Sequence, residues 1–452
     1  MYKKATLGVV LVSIMLGVPQ GALAAVSAEE AAKLRNGTLT PLGAERAGNA
    51  DGSIPQWEGG ITKPVPGNML GDIPTQLFAN EKPLFQVTAR NMAEYDALLS
   101  GGTKALLQKY PDSFRLDVYP GHRTAAAPQV VYDNIAKNAL DCSIKEGWDT
   151  IKGCIGGIPF PIPRSGVEVM WNHLLRVEAP AIDYRFRNIV GGADGVHTLA
   201  TRNEIAFQYP PYYQGANAKD WSGEYAMFRY TTIEPPYKSG ESLVARDSIN
   251  GKYPRQAWQY MVGQRRVRRA PTVSYDTPDF VSSGANYFDE VQGFFGALDR
   301  YEWKLVGKKE MLIPYNTNGL LGAKVSEALD KHHLNPDHLR WERHRVWEVE
   351  ATVAEGRRHA VPTRRYYIDE DTWAIALVDG FDKKGVLWRT TQGIPYVVPA
   401  IPATLLRTSV VFNLEGNTMS VVQMLNEEDF KVVSPKSESY FTGNAVAAEG
   451  VR

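Results

Sequence analysis

The sequence predicts an α+β fold that is mainly β: a large curved antiparallel sheet, open as a half-barrel, closed as a barrel or paired as a sandwich, covered by N-terminal helices and Pro/Gly-rich wrapping segments. Three observations predict it. Apolar and polar residues alternate along many stretches after residue 175, short turns join those stretches, and helical spacing is confined to the part before.

The first element is residues 1–24. Lys3 and Lys4 precede an apolar run from Ala5 to Val18, and Ala22-Leu23-Ala24 offers a small-residue cleavage site. This reads as a secretory signal peptide cleaved near Ala24, and the run is shorter than the ~20 residues that span a bilayer. The expected compartment is the periplasm, in association with the outer membrane or free of it. Nucleic acid is excluded as a partner on that ground, and no transmembrane segment is expected in the mature chain. Removing these residues takes away two lysines and no acids, leaving 48 basic against 50 acidic residues. No global field then favours an anionic partner. Cys142 and Cys154, with eleven residues between them, read as one disulfide in an oxidising compartment.

Residues 25–175 form the expected covering region. "TARNMAEYDALLSGGTKALLQKY" is a helical hairpin broken at Ser100-Gly101-Gly102, "PQVVYDNIAKNALDCSIKEGWDTI" spaces Val131, Ile135, Ala139 and Cys142 as a helix does, and "RSGVEVMWNHLLRV" is a short amphipathic helix. "NADGSIPQWEGGI" and "CIGGIPFPIP" are extended, because each proline pushes its predecessor out of the α region.

Residues 176–432 carry the sheet. Ile182, Tyr184 and Phe186 oppose Asp183, Arg185 and Arg187; Tyr301, Trp303 and Leu305 oppose Arg300, Glu302 and Lys304. "DEDT" at 369–372, "DKKG" at 382–385 and "EGNT" at 415–418 are turns short enough to require antiparallel neighbours. Ten or eleven strands are expected. Residues 433–452 read as a flexible tail.

Two strands depart from clean alternation. "WAIALVDGF" is apolar on both sides, so both its faces are covered. In "WERHRVWEVEATV" one face carries Trp341, Trp347, Val349 and Ala351 together with Arg343 and Arg345. Arginines among tryptophans suit a cavity with a polar mouth; the alternative is that they snorkel to solvent or pair with nearby acids. "GQRRVRRAP" reads as a strand continuing from Trp258 and Tyr260, with Arg265 and Arg269 on one face and Arg266 and Arg268 on the other. It is either a charged edge strand guarded against aggregation or a rim contact for a headgroup or partner.

No G-x-S-x-G, H-E-x-x-H or G-x-G-x-x-G occurs, so no catalytic residue and no cofactor is expected. "SGGTKAL" lacks the spacing of a phosphate loop. The histidines of "KHHLNPDHLRWERH" (His332, His333, His338, His344) do not stack on one helical face, and they read as surface residues with no metal.

"GNADGSIPQWEGGI", "GGIPFPIPRSGVEVMWNHLLR", "GQRRVRRAPTVSYDTPD" and "FFGALDRYEWKLVGKKEMLIPYN", in that order, resemble the family known as domain of unknown function 1329. These are secreted proteobacterial proteins described as outer-membrane lipoprotein-sorting-like. "RRYYIDEDTWAIALVDGFDKKGVLWR" is similar to a strand–turn–strand unit of the periplasmic lipoprotein carriers, open half-barrels that shield acyl chains beneath helices. The resemblance implies a periplasmic carrier for a lipid or other hydrophobic molecule, working with an exporter of the resistance–nodulation–division type or an outer-membrane partner. The chain is about twice the carriers' length, and the family supplies no catalytic residues. On this reading Trp341, Trp347, Trp303 and Tyr301 form the apolar wall, Arg343 and Arg345 stand at its mouth, and Arg265, Arg266, Arg268 and Arg269 make a rim contact. The rival readings are a non-catalytic envelope adaptor and a periplasmic hydrolase.

Overall fold

Alternation along the chain becomes a ladder of matched apolar residues in the computed structural model, which describes residues 26–145, 149–217 and 221–450. The expected signal peptide lies outside the described residues. The first half of the sheet comprises β1 (Ala181–Gly191), β2 (His197–Gln208), β3 (Glu224–Glu234), β4 (Ser242–Ser248), β5 (Arg255–Met261) and β6 (Arg266–Arg269). The second comprises β7 (Tyr301–Pro314), β8 (Trp341–Val353), β9 (Thr363–Asp369), β10 (Ile375–Phe381), β11 (Leu387–Val398), β12 (Ala403–Asn413) and β13 (Thr418–Met424). Each half is a meander, and the two halves join where β13 pairs antiparallel with β1. In the order β6-β5-β4-β3-β2-β1-β13-β12-β11-β10-β9-β8-β7, β6 and β7 lie far apart, so the sheet is not closed into a barrel. Leu116–Val118 adds parallel beside β8, Phe85–Val87 follows it, and Phe430–Val432 pairs with β1. Among the described residues the sheet therefore has 16 strands, more than the ten or eleven expected, and is not wholly antiparallel.

Register aligns the apolar residues of neighbouring strands on one face. Tyr184 lies opposite Ile205, Ile205 opposite Tyr230, and Tyr230 opposite Leu243. A one-residue slip would turn all of them outward. The sheet curves around this face, because helix Gly166–Leu174 bridges its two halves: Trp171 meets the Tyr225 ring of β3 edge-on, and the backbone of Gly166 packs on that of Trp303 in β7. Every residue of that helix is buried. Its expected polar face does not exist, because it fills the concavity and is enclosed on all sides.

The remaining helices cover the sheet from outside. Helix Gly101–Lys109 is capped by Ser100 at the expected break, and its N-terminus docks on β10, where the Gly102 N–H donates to Asp379 Oδ1 at 2.9 Å. The anion at this glycine-rich helix start is therefore the protein's own carboxylate. With Ile375 covered from the inner side by Gly293, both faces of β10 are buried, as its apolar pattern requires. Helix Gln129–Asp141 ends at Cys142, which is bonded to Cys154. The C-terminal segment expected as a loose tail instead forms a 3-10 turn, Glu438–Phe441, and a helix, Gly443–Gly450. Its Phe441 and Val446 are buried against Ala206, Met227, Val244 and Tyr260 on the outer face of β2 to β5.

Candidate functional site

The concave face of β1 to β4 carries Phe186, Ile205, Phe207, Phe228, Tyr230 and Leu243, all buried. Packed against it, beside helix Gly166–Leu174, is the irregular stretch 271–300, built from 3-10 turns at Phe280–Ser282, Phe288–Glu290 and Leu298–Arg300. This stretch sends Phe280, Val281, Phe288, Phe294 and Phe295 inward. Phe295 lies 5.9 Å from Phe207 and 5.8 Å from Phe228, and Phe280 lies 6.5 Å from Tyr230 and 5.3 Å from Phe288. Between the two layers remains an apolar cavity of about 40 Å³, with Asn188, Arg255, Asp279 and Gln423 as its polar members. Binding sites for small molecules typically hold 300–1,000 Å³. The inner stretch is therefore a plug, and the concavity is almost full in this conformation.

Buried polar contacts pin the plug to the second half of the sheet and to the end of helix Gly166–Leu174. Asp289 accepts from Arg364 Nη1 of β9 and from His359 Nε2, both at 2.8 Å. Glu290 takes a bidentate pair from Arg389 of β11 at 2.5 and 2.7 Å. Gln292 receives the guanidinium of Arg176, and the Nε2 of His173 meets the carbonyl of Phe294 at 3.0 Å. Burial opposes charge on Asp289, but the Arg364 guanidinium and the His359 ring outweigh it and hold the carboxyl well below the usual range. Asp279 is the contrary case. Its neighbours are the Val281 N–H, Ser282 and Asn286, and burial pushes its pKa up to about 6. His173, fully enclosed, is held neutral by burial.

None of the six residues expected to form the site lines this cavity. Trp303 comes nearest: its Nε1 donates to Leu298 O at 2.9 Å, and its ring meets Phe294 at the far end of the plug. Tyr301 donates to Val361 O. Trp347 stacks on Trp373 with ring centres 6.2 Å apart, and Trp341 is fully buried. Arg343 and Arg345 contact the N-terminal wrapping segment and neighbouring acids. Arg343 pairs with Asp51 at 2.8 Å and with Glu310 at 2.5 Å; Arg345 donates to Ala47 O and pairs with Glu370. An anionic ligand there would have to displace four of the chain's own carbonyl and carboxylate groups. The residues that sequence reasoning missed are Phe280, Phe288 and Phe295. Their signal was aromatic density without any period inside a Gly/Ser-rich stretch, a pattern that fits packing rather than a solvated loop.

The arginine run is a hairpin, not one continuing strand. A 3-10 turn at Val262–Gln264 and a left-handed Arg265 (φ 48°) reverse the chain, so that Arg266 pairs opposite Met261. β6 is the edge of the sheet, its three arginines and Arg265 in the turn are exposed, and Arg266 and Arg268 bond to the neutral amides of Gln264 and Gln259. The histidines read as surface divide: His332 and His338 are half-buried, while His333 and His344 are enclosed. His344 faces Asp369 and Asp371, and among the described residues these three form a group that could hold a metal ion. No helix among the described residues is long and apolar enough to cross a membrane.

The chain is similar to known proteins, in one case over nearly its whole length. It is 38% identical over 439 residues to an uncharacterized protein of Pseudomonas aeruginosa, PA3922, covering 95% of each. Among solved structures it is similar to a putative outer membrane lipoprotein-sorting protein domain from Vibrio parahaemolyticus, at 12% identity and TM-score 0.43, over 62% of this chain and 98% of that one. It is also similar to a DUF1329 family protein from Desulfovibrio piger, at 12% identity and TM-score 0.40, over 59% and 92%. A LolA superfamily protein from Nitrosomonas europaea aligns at 10% identity and TM-score 0.37, over 63% and 100%. Residues 86–447, which span the plug, the whole sheet and most of the C-terminal cover, match the family described as "Protein of unknown function (DUF1329)", and the chain belongs to that family.

Proposed function

We propose that the protein is a periplasmic binding or carrier protein for a hydrophobic molecule, a single acyl chain being the simplest candidate, and that the ligand enters between β1–β4 and the plug 271–300. The observation that carries this reading is the paired aromatic layers, Phe207 and Phe228 against Phe280, Phe288 and Phe295, with an apolar cavity between them. A protein with only a structural role gains nothing from a gap in its core, since each lost contact destabilises it. Here the second layer is an irregular stretch held by a few discrete polar contacts, which can be exchanged without dismantling the sheet. On this reading the ligand replaces plug rings with its own methylene groups, at about 0.8 kcal/mol for each one buried. The exposed arginine edge, Arg265 to Arg269, is proposed as the contact for a membrane partner, an exporter of the resistance–nodulation–division type.

The test is native mass spectrometry of the protein released from the cell envelope without detergent, followed by solvent extraction and lipid analysis. One bound lipid per chain, lost when Phe207 is replaced by Asp in a variant that keeps the native circular dichroism spectrum, is the expected result. A bare mass that stays bare after incubation with envelope lipids would overturn the reading.

A further inference from the structure

The polar cluster at the start of β8 and the end of β9 has no part in the hydrophobic site, yet it is closely braced. Glu342, His344, Asp369, Glu370 and Asp371 are all at most 2% exposed. Three of the four carboxylates have a cationic partner. Glu342 pairs with Arg340 Nε at 2.5 Å, Asp371 with Arg123 at 2.7 and 2.8 Å, and Glu370 with Lys308 at 2.6 Å. Asp369 has none. Its Oδ2 accepts from the backbone N–H and hydroxyl of Thr372 at 2.8 and 2.7 Å, and its Oδ1 is buried with no hydrogen-bond partner. A buried carboxylate oxygen without a donor is among the costliest groups a core can hold.

That oxygen points to His344. Asp369 Oδ1 lies 3.9 Å and Asp371 Oδ2 4.0 Å from His344 Nδ1, and one ligand atom from each of the three lies within 4.8 Å of the others. These separations are too long for hydrogen bonds. They are close to the roughly 3.4 Å between ligands on a tetrahedral ion bound at about 2.1 Å, so side-chain shifts of under about 1 Å would close the set. Each ligand is also braced from behind. The other ring nitrogen of His344, Nε2, lies 3.1 Å from Glu342 Oε2, which is the carboxylate–histidine arrangement that orients metal-binding imidazoles. Thr372 holds Asp369 and Arg123 holds Asp371. Tyr315 stacks on the His344 ring at 3.8 Å, and its buried hydroxyl also has no partner.

The geometry points to a divalent-cation site formed by His344 Nδ1, Asp369 Oδ1 and Asp371 Oδ2, suited to a zinc-class ion with mixed nitrogen and oxygen ligands. It would be a structural site. The ion ties the 369–373 turn to β8 and, through Arg123, to the covering segment 116–127. It reaches its ligands while the chain folds, because the cluster is closed to solvent. The competing occupant is a proton, giving an imidazolium beside Asp369, and the test separates the two.

The experiment uses the mature chain, residues 25–452, without a polyhistidine tag. It is unfolded with chelator and refolded with either zinc sulfate or EDTA, and bound zinc is measured by atomic emission after gel filtration. About one zinc per chain is expected, with a higher melting temperature than the EDTA-refolded protein. Asp369→Asn and His344→Gln should abolish retention, Glu342→Gln should weaken it about 10- to 100-fold, and His332→Ala should leave it unchanged. Zinc-edge X-ray absorption of the wild type decides the matter even where a variant fails to refold: one imidazole with oxygen neighbours supports the site, and sulfur or several imidazoles refute it. No retained zinc, or retention that survives Asp369→Asn, would also overturn it and leave the proton as occupant.

Discussion

Replacing Phe295 by Ala should weaken the fold and strengthen ligand binding at once. The ring is 5% exposed, packs against both Phe207 and Phe228, and carries the Arg255 guanidinium 4.7 Å from its centre. Truncating a buried phenylalanine costs about 3–5 kcal/mol, part of it for the void left behind. If about 1.5 kcal/mol is that cavity contribution, at ~24 cal/mol per Å³ the void is on the order of 60 Å³, more than the space already there. A ligand that must expel the plug ring from the wild type meets no such ring in the variant. Even if only about 2 kcal/mol of the opening cost is removed, affinity rises about 30-fold. The assays are urea unfolding and titration with a fluorescent fatty acid. Phe441→Ala is the control, because that ring is as deeply buried but lies on the outer face. It should destabilise the protein similarly and leave affinity unchanged. If Phe295→Ala binds the probe no better than wild type, or if Phe441→Ala gains as much, the plug does not gate the site.

Other perturbations probe the frame. In Gly102→Ala the new Cβ would lie 1.9 Å from Thr390 Oγ1 and 2.6 Å from Asp379 Oδ1, lifting the helix start off β10, so a loss of about 3 kcal/mol is expected in chemical denaturation. Asp289→Ala leaves Arg364 buried without its carboxylate and should cost about 3–5 kcal/mol; the double variant Asp289→Leu/Arg364→Leu should lose much less than the sum of the single ones. Asp279 gives a pH dependence of known sign. The folded chain keeps its proton up to about pH 6, whereas the unfolded chain releases it near its ordinary value of 3.8. The nearby Lys238 only partly opposes this. Stability from this residue is therefore full below about pH 4 and declines as pH rises through 6, by about 3 kcal/mol in all. Urea midpoints compared at pH 5 and pH 8 should show Asp279→Asn flattening that decline.

Much of the sheet was legible because a half-buried strand must alternate. The residues at 182–186, 204–208 and 301–305 declare their faces, and the turns at 369–372, 382–385 and 415–418 permit only antiparallel partners. Other features were hidden because local pattern does not report what covers a face. His344 and Glu342 occupy the polar side of β8, which reads as solvated until residues near Arg123 close over it. Phe441 and Val446 are isolated apolar residues in a small, polar segment, and only the exposed apolar patch on β2 to β5 explains their burial. The reversal at Arg265 has no turn residue in the left-handed position, so the alternation reads straight through it. The plug was the hardest to see. It has no period, and its arginine partners Arg364 and Arg389 come from strands more than 70 residues away.

The most direct test is photolabelling with a diazirine-bearing fatty acid, competed by the unmodified acid and mapped by peptide mass spectrometry. Label on the inward-facing strands 181–191, 197–208 and 224–234 and on plug residues 278–296, removed by competitor, is what a ligand between the two aromatic layers requires. Label confined to the outer-face cover at 433–448, or label that competitor does not displace, would contradict it.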